Sequence, residues 1–462
     1  MELNSKKYEM DMCSGNLFIK IIRFSLPLMF MGMLQLLYNA ADLVVVSNFS
    51  GDKDALGAVG STSAIINLLV NLFIGLSVGT NVIVAKYFGA KKEDKISDVV
   101  HTSIFISLIL GIFLGLFGFF FSRQLLHLMK NDLELSVLYL KIYFLGMPFN
   151  LVYNFAASVL RAVGDTKRPL YFLAISGLAN VLFNLVFVIV FDLSVAGVAI
   201  ATVISQVISC ILIIRTLLKT NECYKLELKK LKISKDALLE IIKIGIPAGI
   251  QSIIFSISNV LIQSSINMFG PTVMNGNSAA QSVEGFVYVG LNSIYHASLA
   301  FMGQNVGAKN VKNIKKITIY SLIIVTLLSL LIGGTIFIFG KYVLKIYTKI
   351  PSEIDVGYIR LHYLCLPYFL CGIMDVMVGC LRGLGSSIIP MIVSIVGVCG
   401  FRVFWILTIF YSYTEFVNIN DLHLLYVSYP ISWILTFIVH LICYIFVSRK
   451  KIKSINLELM LN

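Results

Sequence analysis

Twelve stretches of the chain carry few charges, and short polar or basic segments separate them. They span residues 20–46, 55–80, 98–121, 135–160, 169–191, 195–218, 239–267, 276–303, 317–340, 358–381, 389–411 and 425–447. Most hold about 20 or more largely apolar residues, enough for a helix to cross a ~30 Å hydrocarbon core. Backbone N–H and C=O groups in lipid need partners inside the protein, which leaves helices or a closed barrel. The stretches lack the period-two alternation of barrel strands, so the pattern predicts an all-α polytopic membrane protein with twelve transmembrane helices.

The pattern is doubled. Leu160-Arg-Ala-Val-Gly-Asp-Thr-Lys-Arg-Pro169 returns as Leu381-Arg-Gly-Leu-Gly-Ser-Ser-Ile-Ile-Pro390. Phe24-Ser-Leu-Pro27 matches Ile244-Gly-Ile-Pro247, and Lys86-Tyr-Phe-Gly-Ala-Lys91 matches Gln304-Asn-Val-Gly-Ala-Lys309. Common order and nearly common offset identify a duplicated bundle. Six helices per half is an even number, so both halves enter the bilayer the same way, as two parallel six-helix lobes. The expected divisions are a polar tail (1–16), a first lobe with helices one to six (17–218), a Lys-rich linker (219–237), a second lobe with helices seven to twelve (238–448) and a basic tail (449–462). A cleft between two such bundles is the expected place for a substrate. The repeated elbow itself reads as scaffold: Asp165 or Thr166 suits an N-cap, Pro169 a first helical turn, and Arg161 and Lys167 interfacial anchors.

Composition agrees. The chain is 58% hydrophobic and 13% charged, about half the charge of a soluble domain. Its net charge of +13 reports topology. Lys6, Lys7, Lys20, Arg23, Lys86, Lys91, Lys92, Lys95, Arg161, Lys167, Arg168, the linker cations, Lys309, Lys312, Lys315, Lys316, Arg382, Arg449, Lys450, Lys451 and Lys453 fall on one side. The other side has few, among them Lys53, Arg123, Lys130, Lys341, Lys345 and Lys349. By the positive-inside rule the richer side and both termini are cytoplasmic. Cations spread over six loops and a tail fit anionic lipid and give no nucleic-acid stripe. No cleavable signal peptide is apparent. The eight Cys avoid the outer loops and lack ligand spacing with His, so neither a disulfide framework nor a metal site is expected.

Ionisable residues inside a membrane are costly and mark function by default. Gln35, Tyr38, Asn39 and Asp42 share one face of helix one. A carboxylate among apolar helices is costly to keep charged, so Asp42 is a candidate to exchange a proton or to ionise when a cation such as Na⁺ arrives. Asn180 and Asn184 in helix five and Thr202 in helix six offer oxygens that complete a cation shell if they meet Asp42 in space. In the second half Gln281, Glu284, Tyr288, Asn292 and Tyr295 form a polar stripe on helix eight. Ser252, Ser256, Asn259, Gln263 and Asn267 form another on helix seven. Asp375 in helix ten has Asn154 as its repeat partner in helix four. Arg402 in helix eleven stands either as the counter-ion of Asp375 or Glu284 or beside acids that meet substrate directly. Tyr38, Tyr288, Tyr295, Phe286 and Phe404 are candidate lining for a cation-accepting chamber. Met29, Met31 and Met33 spread around their helix and read as packing. No phosphate loop, nucleophile elbow or His-Glu-x-x-His is present, which disfavours ATP-driven pumping by this chain and membrane-embedded catalysis.

These residues resemble the MATE multidrug exporters. The resemblance rests on both elbows, on Pro27, Gln35, Tyr38-Asn39 and Asp42 in helix one, on Gln304-Asn-Val-Gly-Ala-Lys309, and on Ala196-Gly-Val-Ala-Ile-Ala-Thr202 opening helix six. It covers about residues 16–448. It implies two lobes in a V and secondary active efflux of organic, cationic compounds by a monomer in the bacterial cytoplasmic membrane. H⁺ or Na⁺ is the coupling ion, with no cofactor and no enzymatic step. It further implies that Asp42 is the coupling aspartate, that Asn180 and Thr202 belong to its cation shell, and that protonation of Asp42 goes with bending of helix one near Pro27. Glu284 and Asp375 match the family's second-lobe acids more loosely. Asn184 departs from the family's frequent Asp, which removes one carboxylate and weighs against Na⁺ there. A flippase of lipid-linked oligosaccharides is the alternative of related architecture. Its anionic substrate calls for several basic lining residues, and Arg402 alone stands against three acids.

Overall fold

Every apolar run becomes helix, and most helices overshoot their runs. The computed structural model describes residues 8–50, 55–129, 133–414, 416 and 419–461. Lys6, Lys7, Lys53 and Lys130 lie outside the described residues. Twelve helical segments follow one another among the described residues. They are α1 (Leu17–Phe49), α2 (Ala55–Gly89), α3 (Glu93–Leu128), α4 (Glu134–Leu145 and Met147–Ala162), α5 (Lys167–Leu185, continuing as Val186–Val190), α6 (Ser194–Lys219), α7 (Lys235–Asn267), α8 (Pro271–Gly307), α9 (Val311–Leu344), α10 (Pro351–Leu364 and Tyr368–Gly383), α11 (Ile388–Tyr413) and α12 (Leu422–Leu461). Nine are long and apolar enough to cross a membrane, eleven when each bent pair counts as one span. The remaining long helix, α8, has a membrane-spanning length of 37 residues. Its polar stripe lowers its hydropathy.

The duplication reaches further into the structure than the three sequence echoes. α4 bends by 48° before Pro148 and α10 by 51° at Pro367. Proline lacks the N–H that would continue the ladder, so both bends have the same cause. α5 widens into a π-helical turn at Val186–Val190, and α11 does so at Ile406–Phe410, with a further one at Ile395–Gly400.

The two elbows share one backbone solution. Gly164 (φ 97°) and Gly385 (φ 92°) both sit at positive φ, where a glycine ends a helix without a Cβ penalty. The Gly164 amide donates to Arg161 O (3.1 Å) and the Asp165 amide to Leu160 O (2.9 Å). The Gly385 and Ser386 amides repeat this on Arg382 O and Leu381 O, at 2.8 and 3.0 Å. Lys91 and Lys309, which end the other loop echo, both adopt φ 56°.

The side chains at the elbows have diverged. Asp165 accepts the Arg168 amide (3.1 Å) and pairs with the Arg168 guanidinium. It therefore caps α5 from one residue ahead of Thr166, whose side chain makes no cap bond. Burial pushes the Asp165 carboxyl up, against the pull of Arg168. Arg382, expected as a cation of the basic loops, is buried instead: it donates to Tyr295 Oη (2.5 Å) and Gln251 Oε1 (2.8 Å).

Contacts divide the chain into two compact units. One holds residues 8–11 and Phe30–Gly249, the other Met12–Met29 and 250–461. α1 changes unit after Met29 and α7 after Gly249, each two residues past an in-helix proline, Pro27 and Pro247.

Within the first unit, Gly75-x-x-x-Gly79 of α2 meets Gly245-x-x-x-Gly249 of α7. A Cβ at Gly75 would strike the backbone of Gly249, and one at Gly79 the carbonyl of Ile241. A Cβ at Gly245 would in turn meet Leu76, and one at Gly249 the carbonyl of Leu72. Paired small residues let helices approach to backbone contact, the main source of helix association in lipid. Gly79→Leu is therefore expected to abolish monodisperse protein in detergent, whereas Gly334→Ala, with open space around its Cβ, leaves the size-exclusion profile unchanged.

Candidate functional site

The first-unit residues singled out in the sequence come together. Asp42 is 9% exposed, two turns before the end of α1. Asn184 on α5 donates through Nδ2 to Asp42 Oδ1 at 2.5 Å and to Asn180 Oδ1 at 3.4 Å. Asn180 Nδ2 reaches Thr202 Oγ1 on α6 at 3.4 Å, and Thr202 donates to Val198 O (3.0 Å). The one-turn spacing of Asn180 and Asn184 stacks both amides on the face of α5 that carries them to Asp42. Tyr139 and Tyr143 of α4 lie within electrostatic reach of the carboxyl. Asn184 Oδ1 is buried and has no hydrogen-bond partner among the described residues.

The other first-half candidates stand outside this cluster. Tyr38 packs its ring against Gly177 and donates to Ala174 O at 3.4 Å. Gln35 and Asn39, on the same face of α1, are exposed. Asn154 donates to Asn150 on its own helix, at 2.9 Å to O and 3.0 Å to Oδ1.

In the second unit the expected partner of the acids is not the one found. Arg402 pairs with neither Asp375 nor Glu284 among the described residues. Its guanidinium lies 3.9 Å from the centre of the Tyr429 ring and 5.6 Å from that of Trp433, and its Nε donates to Ser432 Oγ at 3.0 Å. The π-face of Tyr429 takes the place of a carboxylate, a favourable arrangement where water is excluded.

The counter-ion of Glu284 is Arg360, a residue the sequence reading passed over. Arg360 Nη2 stands 2.7 Å from Glu284 Oε2 and its Nε donates to the same oxygen at 2.8 Å. Tyr368 Oη donates to Glu284 Oε1 (2.9 Å), and Arg360 Nη1 to Asn277 Oδ1 (2.8 Å), which also accepts from Tyr426 (3.0 Å). Arg360 stands at the start of the run predicted for helix ten, where a cation ordinarily reaches for headgroups. The bend at Pro367 lets its half-helix pack against α8 and brings it to Glu284.

The polar stripe of α8 is thus split. Glu284 faces this network, while Gln281 and Tyr288 are exposed and Asn292 is half-buried. Gln281 donates to Gln263 Oε1 (3.3 Å), which also accepts from Asn277 (3.1 Å). Asp375 is half-buried and has no hydrogen bond or ion pair among the described residues. Asp42 and Asp375 are therefore the two membrane-embedded carboxyls, of those predicted, that form no ion pair among the described residues, and only Asp375 has a guanidinium, Arg382, within electrostatic reach.

Removing one partner of a buried pair leaves an uncompensated charge. Arg360→Met is expected to cost about 3–5 kcal/mol, and adding Glu284→Gln to recover most of it. The order of the melting temperatures of the purified variants checks this.

Comparison with known proteins adds the lineage. A family model described as MatE matches residues 27–186 and again 247–407, so the two matches begin at the paired prolines Pro27 and Pro247. The chain is 29% identical over 400 residues to a probable multidrug resistance protein, YpnP, of Bacillus subtilis, covering 86% of this chain and 88% of that one. It is 26% identical over 442 residues to a second from the same organism, YoeA, covering 93% of each. The fold superposes on an outward-facing multidrug resistance MATE family transporter of the MOP superfamily with a TM-score of 0.87, at 21% identity, over 96% of this chain and 98% of that one. Two family matches in tandem, over an all-helical fold of this kind, establish that the chain belongs to the MatE family of multi-pass membrane transporters.

Proposed function

We propose that the protein exports organic cations from the cytoplasm in exchange for protons, with Asp42 as the coupling group. The observation that carries this reading is the arrangement around Asp42: among the described residues, one buried carboxyl facing only neutral amide, hydroxyl and phenol groups. A hard metal cation needs a cage of several oxygens, and here the Asn184 amide directs an N–H at the carboxylate instead. A proton needs no cage. Protonation removes the charge that Asn184 bonds to and frees α5 from α1, the helix that carries Pro27. One charge moving through 100 mV is worth ~2.3 kcal/mol, which sustains about a fiftyfold gradient.

The naming of two Bacillus relatives as probable multidrug resistance proteins supports the efflux direction and the breadth of substrate. The basic cytoplasmic loops support termini on the inside of a bacterial cytoplasmic membrane. Glu284 is already neutralised by Arg360, which supports a coupling role for Asp42 over that acid. For an anionic lipid-linked substrate, Arg360 and Arg402 would be needed as free guanidinium groups, and both are engaged with other side chains.

Efflux of a lipophilic cationic dye from proteoliposomes under separate H⁺ and Na⁺ gradients tests the reading. The wild type is expected to respond to the H⁺ gradient, and Asp42→Asn to lose at least tenfold of that rate. Asn184→Asp supplies a second carboxylate and is expected to add a response to Na⁺. Efflux driven by either ion in Asp42→Asn at the wild-type rate would overturn the assignment.

A further inference from the structure

The second unit carries a groove of about 700 Å³ between α9 and the C-terminal helix α12. Its inner part is apolar: Ile319 and Leu322 form one wall, Leu441 and Ile445 the other. The Thr318 hydroxyl bonds to the Tyr444 oxygen at 2.7 Å and closes the floor. One level further along stand three cations, Lys315 on α9 and Arg449 and Lys453 on α12. The helix spacing puts them there. Positions 315, 318, 319 and 322 share one face of α9, and 441, 445, 449 and 453 one face of α12. The two helices run antiparallel, so Lys315 at the start of one meets the basic tail of the other.

Charge makes this groove different from the rest of the apolar surface. Among the described residues no acidic side chain lines it. Elsewhere on the basic side, Lys86 pairs with Glu240, Lys230 with Glu227 and Lys309 with Glu458. Lys315, Arg449 and Lys453 have no ion pair among the described residues and converge on one concave slot whose continuation is hydrocarbon-like. A free anion would use the cations and leave the slot empty. A zwitterionic lipid would fill the slot and bring its own cation towards three others. An amphiphile with a net negative headgroup satisfies both parts.

We propose that this groove is a binding site for a single anionic glycerophospholipid. Lys315, Arg449 and Lys453 hold its phosphodiester, and an acyl chain lies along Ile319, Leu322, Leu441 and Ile445. The site is independent of which ion or compound the protein transports. Neutralising the three cations is expected to weaken binding by roughly a hundredfold, since each basic residue near an anionic headgroup contributes about fivefold.

Native mass spectrometry of the full-length protein in detergent tests this, with phosphatidylglycerol and phosphatidylcholine of identical acyl chains as probes. The expected result is one saturable phosphatidylglycerol per protein, retained at collision energies that strip phosphatidylcholine. The triple variant Lys315→Gln, Arg449→Gln, Lys453→Gln loses it. Leu322→Trp fills the apolar slot without changing charge and also loses it. A control that neutralises Lys95, Lys229 and Lys232, exposed cations remote in sequence from both groove helices, retains it. Equal retention of the two lipids, equal loss in the control, or wild-type binding by Leu322→Trp would each overturn the proposal. The thermal shift given by phosphatidylglycerol provides a second readout on the same variants, and each must fold in phosphatidylcholine for its result to count.

Discussion

Hydrocarbon gives a polar group no water to bond to, so each one must find its partner inside the protein. The backbone meets this demand by forming helices almost everywhere, and the side chains meet it in three ways. Glu284 uses an opposite charge, Arg360. Arg402 uses an aromatic face, Tyr429. Asp42 uses neither, and rests on amide and hydroxyl dipoles. The first solution is closed, because taking either partner away strands the other. The third is open: a carboxyl held by dipoles alone can take up a proton without stranding a counter-ion, and its hold on Asn184 weakens as its charge goes. The difference between the two acids lies less in burial than in what faces them.

The same demand explains what the sequence made legible. Asp42, Asn180, Asn184 and Thr202 are readable as a set because each is polar deep inside an apolar run and the helical period aligns those on one helix. Their meeting across three helices needs the fold, since no spacing relates residue 42 to residue 184. Arg360 escaped for the opposite reason. It stands at the polar edge of its run, where a cation normally reaches for headgroups, and the bend at Pro367 is what turns it inward. A usable signal was present, because Glu284 demanded a cation and Arg402 was only the most conspicuous one. The facing Gly75/Gly79 and Gly245/Gly249 pairs were legible as four-residue spacings, but nothing in the sequence names their partner.

Duplication conserved backbone more faithfully than side chains. Both halves keep a bend at Pro148 or Pro367, a π-helical turn at the end of α5 or α11, and the same pair of hydrogen bonds closing the elbow. These features depend on glycine, proline and the bonding of the main chain, and tolerate exchange of almost any neighbour. The side chains at equivalent sites have taken different work: Asp165 is buried and pairs with Arg168, while Ser386 at the matching position is half-buried.

The crossing of α1 and α7 between units separates the parts of each unit in time. Met12–Met29 belongs to the unit whose other residues begin at Ile250, so a ribosome delivers this segment long before the rest of its unit. At about 5–20 residues per second, the wait is roughly ten to forty seconds. The first unit is likewise incomplete until Gly249 has been made. Neither half of this duplicated chain is a module that can be finished alone. During its wait, half a helix stands without the rest of its unit, and lipid covers the surface that the later helices will take.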